Sequence, residues 1–228
     1  MPIAFDNVSS VQATNVSSVT IPAFTVGGTD RLIFVGVGSS DVGQLTSSVV
    51  RNAAPSETFT EKWDVTRDFG GGAILHCSGH YFIAPATGSF SITVTVAGID
   101  DGVAAGAISF TGVDQTTGLG TQGTANGTST TASVTVTAGT NDWLVDTTYV
   151  DAVTIVAGAD QTSRWEEENI GAFSAGGGST QLGSANDVMS WDLVASGNWI
   201  IGAVPVLAPA AAGSVVTPRL LGLLGVGA

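Results

Sequence analysis

The sequence predicts an all-β protein, a sandwich or barrel of about ten to eleven short strands. Three observations predict it. Short runs alternate apolar and polar residues with period two, the mark of a half-buried strand. Turn residues recur between those runs, 31 glycines among them. No run carries the 3.6-residue period of an amphipathic helix.

The elements follow in order. Residues 7–19, "NVSSVQATNVSSV", repeat a short polar unit and read as a lead-in; the first strand is "VSSVTIPAF" (16–24). "RLIFVGVG" (31–38), "VAAGAISFTGV" (103–113), "DWLVDTTYV" (142–150) and "NWIIGAVPVL" (198–207) are almost continuously apolar, as central strands covered on both faces are. "SFSITVTVAG" (89–98) places Phe90, Ile92, Val94 and Val96 on a core face, with Ser91, Thr93 and Thr95 opposite. "TASVTVTAG" (131–139) repeats the device with Val134 and Val136 inward. Further strands are "TFTEKWDV" (58–65), "ILHCSGHYFIA" (74–84), "QTSRWEEE" (161–168) and "VMSWDLV" (188–194). One sandwich domain over residues 1–208 is expected. Beyond it come the small-residue linker "APAAAGS" (208–214) and an apolar arm, "VVTPRLLGLLGVGA", which together make 209–228 a separate segment. The arm is shorter than the roughly 20 residues a bilayer span needs. Its Val215, Val216, Leu220, Leu221, Leu223, Leu224 and Val226 are candidate interaction residues, because a concentrated apolar segment marks a contact site.

Composition narrows function. The net charge is −13, with Lys62 the single lysine, so the basic footprint of a nucleic-acid protein or of an anionic-membrane binder is missing. Only 11% of residues are charged, and Ser and Thr fill most polar positions. The single cysteine, Cys77, leaves no intramolecular disulfide. The opening "MPIAFDNVSSVQ" lacks the pattern of a signal peptide, which favours folding in a cytosol and makes the sequons at Asn7, Asn15 and Asn126 incidental.

Each candidate for chemistry has a plain structural reading. His76, Cys77 and His80 invite a metal, but strand residues four apart lie roughly 13 Å from each other at about 3.3 Å per residue, and Cys77 points to the other face. Glu166, Glu167 and Glu168 alternate faces, and Asp100 with Asp101 reads as a turn, so neither set gathers the oxygens calcium requires. Asp146 and Asp192 lie within strand patterns and are the one pair that suits glycoside hydrolysis if they face each other. A Ser/His/Asp nucleophile has no G-x-S-x-G elbow behind it. "FGGGAI" and "AGGGST" lack the helix and lysine of a phosphate loop. Trp63, Trp143, Trp165, Trp191 and Trp199 are core anchors or, if exposed, a sugar-stacking platform. No catalytic residue, metal or cofactor is expected.

The order of several pieces carries a resemblance: "DRLIFVGVG", "HYFIAPATGSFSITVTVAG", "GAISFTGVDQTTGLGT", "VTVTAGTNDWLVDTTYV", "GADQTSRW" and "MSWDLVASGNWIIGAVPVL". Over roughly residues 3–208 the chain resembles a jelly-roll-like, antiparallel β-sandwich domain of tailed-phage structural proteins, also seen in bacterial surface proteins. The resemblance implies a non-enzymatic virion protein, a capsid decoration (cement) or head-fibre component. It implies that the protein is found in virions after assembly in the host cytoplasm. The implied partners are the major capsid protein or other virion proteins, and a homo-oligomer, a trimer, is expected. It implies that Asp114, in "TGVDQTT", turns the chain by accepting backbone N–H groups rather than acting as a catalytic acid. A carbohydrate-binding module is the alternative from another class.

Overall fold

The computed structural model describes residues 1–40, 46–52, 56–72, 74–171 and 173–210, with only the backbone described for Ser47 and Asp100. The expected arm residues Val215, Val216, Leu220, Leu221, Leu223, Leu224 and Val226 lie outside the described residues. Every regular element among the described residues is a strand. They are β1 (Ala4–Ala13), β2 (Val16–Val26), β3 (Leu32–Ser40), β4 (Thr46–Asn52), β5 (Glu57–Thr58), β6 (Thr60–Asp68), β7 (Ile74–Ile83), β8 (Gly88–Asp100), β9 (Gly102–Thr111), β10 (Gly123–Val136), β11 (Trp143–Val150), β12 (Ile155–Ala157), β13 (Thr162–Ile170), β14 (Ser174–Leu182) and β15 (Asp187–Val206).

The protein is all-β and antiparallel, with sheets stacked face to face as a sandwich. A central sheet has the order β1-β9-β3-β7-β6. On one side of it lies β2-β8-β4-β5; on the other lies β10-β15-β11-β14-β13, with β12 paired to β15. Successive strands from β1 to β4 alternate between the first two sheets. β5 runs into β6 after one residue, so that single stretch crosses from one sheet to the other.

Three apolar layers hold the stack. Ile33, Val35 and Val37 of β3 meet Ile21, Ile92 and Val94 in the first. Phe34, Ile108 and Phe110 meet Val145, Tyr149 and Val204 in the second. β3 and β9 are therefore covered on both faces, as their apolar runs predict. The third layer is built by β10 and β15. Both bend, β10 with a register shift between Ser129 and Thr131, so the half of β15 near Trp191 folds over the sheet that its other half belongs to. Ala132, Val134, Met189 and Trp191 then cover Leu144, Val150 and Ile201.

A row of glycines sets the spacing of the second layer. Gly36 lies opposite Gly79 and Gly106 on its two neighbours. A Cβ on Gly79 would meet the Trp63 ring at 2.5 Å, one on Gly106 the Trp165 ring at 2.3 Å, and one on Gly36 the Thr147 hydroxyl at 1.8 Å. The missing side chains thus make a trough in the central sheet that two indoles and a threonine fill.

The structure corrects the sequence reading in two places and adds a strand that it did not find. The repeat at 7–19 is no lead-in: its two halves belong to β1 and β2, which turn at Asn15 (φ 55°) and join different sheets. The stretch "AGGGST" is the buried middle of β14, a strand that the sequence reading did not list. The two runs ending the chain's pattern, "VMSWDLV" and "NWIIGAVPVL", are one bent strand, β15, whereas the short β5 and β12 carry no pattern to find.

Candidate interaction surfaces

The residues first considered for chemistry prove to be ties within the fold. Asp114 opens the excursion between β9 and β10. Its Oδ1 accepts the backbone N–H groups of Thr116 (2.8 Å) and Thr117 (2.7 Å), which hold its carboxyl below the usual range. Its own N–H donates to Leu207, joining this turn to the end of β15.

His76 and His80 face the β2-β8-β4-β5 sheet, and Cys77 faces the opposite way. The Cys77 thiol donates to the Thr147 carbonyl at 3.3 Å, and burial pushes its pKa up to about 12, far from a nucleophilic thiolate. His76 bridges Asp64, through Nε2, and Ser39, whose Oγ lies 3.4 Å from Nδ1. Sequence reasoning missed this Asp64–His76–Ser39 chain, since its members come from three strands. It has the order of a nucleophilic triad, yet Ser39 is 1% exposed and His76 2%. Neither lines any of the four main clefts among the described residues. His80 contacts Ser78, which meets Thr46 of the facing sheet; burial lowers its pKa to about 4.

Asp146 and Asp192 do not share a cleft. Asp146 is fully buried in the third layer and accepts bonds from Ser179 N (2.6 Å), Ser179 Oγ (2.9 Å) and Trp191 Nε1 (2.9 Å). Gln161 Nε2 adds a longer contact at 3.4 Å. Burial outweighs these donors and raises its pKa to about 7. Asp192 points outward and accepts from Thr131. Glu167 accepts from Ser10 and Glu168 from the Ile155 N–H, so both fasten β13 to its surroundings. Among the described residues no three His, Cys, Asp or Glu side chains are grouped to hold a metal.

Four of the five tryptophans are buried: Trp63, Trp165, Trp191 and Trp199, none more than 8% exposed. Trp143 alone is half-buried. A platform of several exposed indoles is therefore not present.

The outer face of β2-β8-β4-β5 is lined by hydroxyl and amide side chains. Thr20, Thr93, Ser91 and Asn52 point outward and are laced together across three strands: Thr20 to Thr93 at 3.3 Å, Asn52 Nδ2 to Ser91 at 3.0 Å and to Thr93 at 2.9 Å. The alternation of β8 puts Phe90, Ile92, Val94 and Val96 inward and leaves hydroxyls outside; Ile99, near its end, is exposed. The one arginine of β4, Arg51, turns inward to Glu57 and the Phe90 ring. No ionisable side chain described in these strands points outward. On a chain of net charge −13, the described side chains of this face carry none of the charge.

A second surface is a groove of about 420 Å³ lined by Met1, Pro2, Ile3, Trp143, Leu182 and Ala208, where the described chain leaves the domain. Beside it, across Trp143 and Leu182, a cleft of about 540 Å³ contains Arg164, Asp160 and Gln181. No family model, curated protein or solved structure matches the chain.

Proposed function

We propose that this chain is a structural protein of a virion, a capsid decoration protein that covers or clamps the head surface. The observation that carries the reading is the uncharged, hydroxyl-bearing outer face of β2-β8-β4-β5. An acidic protein repels copies of itself and other acidic surfaces through most of its exterior. A neutral face, already rigid through its Thr–Thr and Asn–Ser ties, is where another protein can be met without that repulsion. Two further points support the reading. The alternation of β1 to β4 between the β1-β9-β3-β7-β6 and β2-β8-β4-β5 sheets accords with jelly-roll wiring, in which consecutive strands cross between two sheets, with β6 as an added edge strand. The groups with chemical potential, Cys77, His76 and Asp146, are spent on internal ties.

Cosedimentation with capsids that lack the protein tests the proposal. Bound protein in the capsid pellet, with a trimer by light scattering, is the expected result. Thr93→Lys, a charge at the centre of the neutral face, should leave the melting temperature nearly unchanged and abolish cosedimentation. A monomer that does not bind capsids would remove the reading. A carbohydrate-binding role is the second reading, and among the tryptophans only Trp143 is exposed enough to serve it.

A further inference from the structure

We propose that the cleft between Trp143 and Arg164 is a binding site for a saccharide unit bearing a single carboxylate. The proposal is independent of capsid decoration and stands on how Arg164 is placed. β13 pairs Ser163 with Ser179 and Trp165 with Gly178, so Arg164 is the extra residue of a β-bulge. A bulge sets two successive side chains on one face and re-aims them. Trp165 goes into the second apolar layer, and Arg164 goes to the same side, at its rim. There the guanidinium lies 4.0 Å from the Phe5 ring centroid and 5.8 Å from that of Trp143. Nε donates to Thr180 Oγ1 at 2.7 Å. Neither Nη makes a hydrogen bond among the described residues, and no carboxylate lies within ion-pair distance of Arg164. A half-buried cation with no carboxylate partner among the described residues, in a protein of net charge −13, is open to an anion. The two free Nη groups form the fork that takes a carboxylate side-on.

The rest of the cleft selects what carries that carboxylate. Trp143 offers an aromatic face, which stacks on an apolar ring surface. Gln181 lines the cleft; its Oε1 is buried and has no hydrogen-bond partner among the described residues, and a turn of the amide would bring it to a ligand hydroxyl. Asp160 and Asp187 also line the cleft; Asp187 already accepts from Ser184 N and Oγ, which leaves Asp160 as the open carboxylate. Acceptors beside a cation suit hydroxyl donors on a singly charged ring, and Asp160 disfavours a polyanion or an acidic peptide. A monosaccharide acid supplies the ring face, the hydroxyls and one carboxylate.

Calorimetric titration of the full chain with sodium glucuronate, glucose and sodium acetate at equal ionic strength tests this. Saturable binding of glucuronate is expected, with glucose and acetate each at least about tenfold weaker, a difference of one good contact. Arg164→Gln should weaken glucuronate by about ten- to a hundredfold, the worth of a charged hydrogen bond, and should leave capsid cosedimentation unchanged. Arg164→Lys keeps the charge without the fork and should fall between; it also decides the matter if the glutamine variant does not fold. The exposed Arg67→Gln should match the parent. No saturable binding, equal affinity for glucose or acetate, or full affinity in either Arg164 variant would overturn the proposal.

Discussion

Ile92 and Thr93 are neighbours with opposite duties. Ile92 is fully buried against the central sheet, while Thr93 ties the outer hydroxyl ladder. Ile92→Ala should cost about 2–5 kcal/mol of stability and Thr93→Ala about 1 kcal/mol or less, read by denaturant melts. Two buried titratable groups work against each other with pH. Burial holds His80 near 4, below its ordinary 6.5, so between those values the unfolded chain binds the extra proton. Its contribution is present above pH 6.5 and is lost as the pH falls toward 4. Asp146 has the opposite sense. With its pKa raised from 3.8 to about 7, the native state binds the proton, and stability is lost as the pH rises through that window. The parent should therefore vary little in stability between about pH 4 and 6.5, where the two nearly cancel. His80→Gln should unmask the Asp146 slope, making the protein more stable at pH 5 than at pH 7 relative to the parent. Urea melts at the two pH values check the sign.

At the scale of elements, β14 and β13 depend on each other through missing side chains. Gly178 lies opposite Trp165, and a Cβ there would meet the indole nitrogen at 2.2 Å. Gly178→Ala must displace a ring packed between two sheets and should cost about 1–3 kcal/mol. Gly70, by contrast, has open space around a Cβ, and only its φ of 85° opposes alanine. The penalty there should stay near 1 kcal/mol, the cost of the left-handed backbone. Thermal melts of the two variants separate crowding from backbone strain. Edge strands are managed in the same local way. β6 carries Glu61, Lys62, Asp64, Arg67 and Asp68, β2 carries Pro22, and β5 is two residues long. Each of these discourages a further strand from adding.

For the whole molecule, the described fold closes without the arm. Leu207 N donates to the Gly118 carbonyl and Ala208 N to Asp142 Oδ1, which fasten the end of β15 before the linker. Truncation after Ala210 leaves every described hydrogen bond in place, so the melting temperature should stay within about 2 °C. If the arm docks on another protein, the same truncation removes self-association or capsid binding. A large drop in melting temperature with association intact would instead make residues 211–228 part of their own domain.

The strand content, the inward face of β8 and the burial of β3 and β9 were legible in the sequence, because strand side chains alternate with period two and that period needs only local residues. The turn role of Asp114 was legible for the same reason, its partners being two and three residues away. The polar β1 and the glycine-centred β14 were not, since neither carries an apolar alternation. Their strand state comes from pairing with β9 and with β11 and β13. The bend of β10 and β15, the stacking of a third sheet, and the gathering of Asp64, His76 and Ser39 were decided only by tertiary structure. The same holds for the cleft of Trp143, Arg164 and Gln181, whose residues come from three strands and whose arginine is aimed by a bulge. Sequence fixes which face a side chain takes within its strand, but it carries no local signal for which strand will lie opposite, and every site in this protein is made between strands.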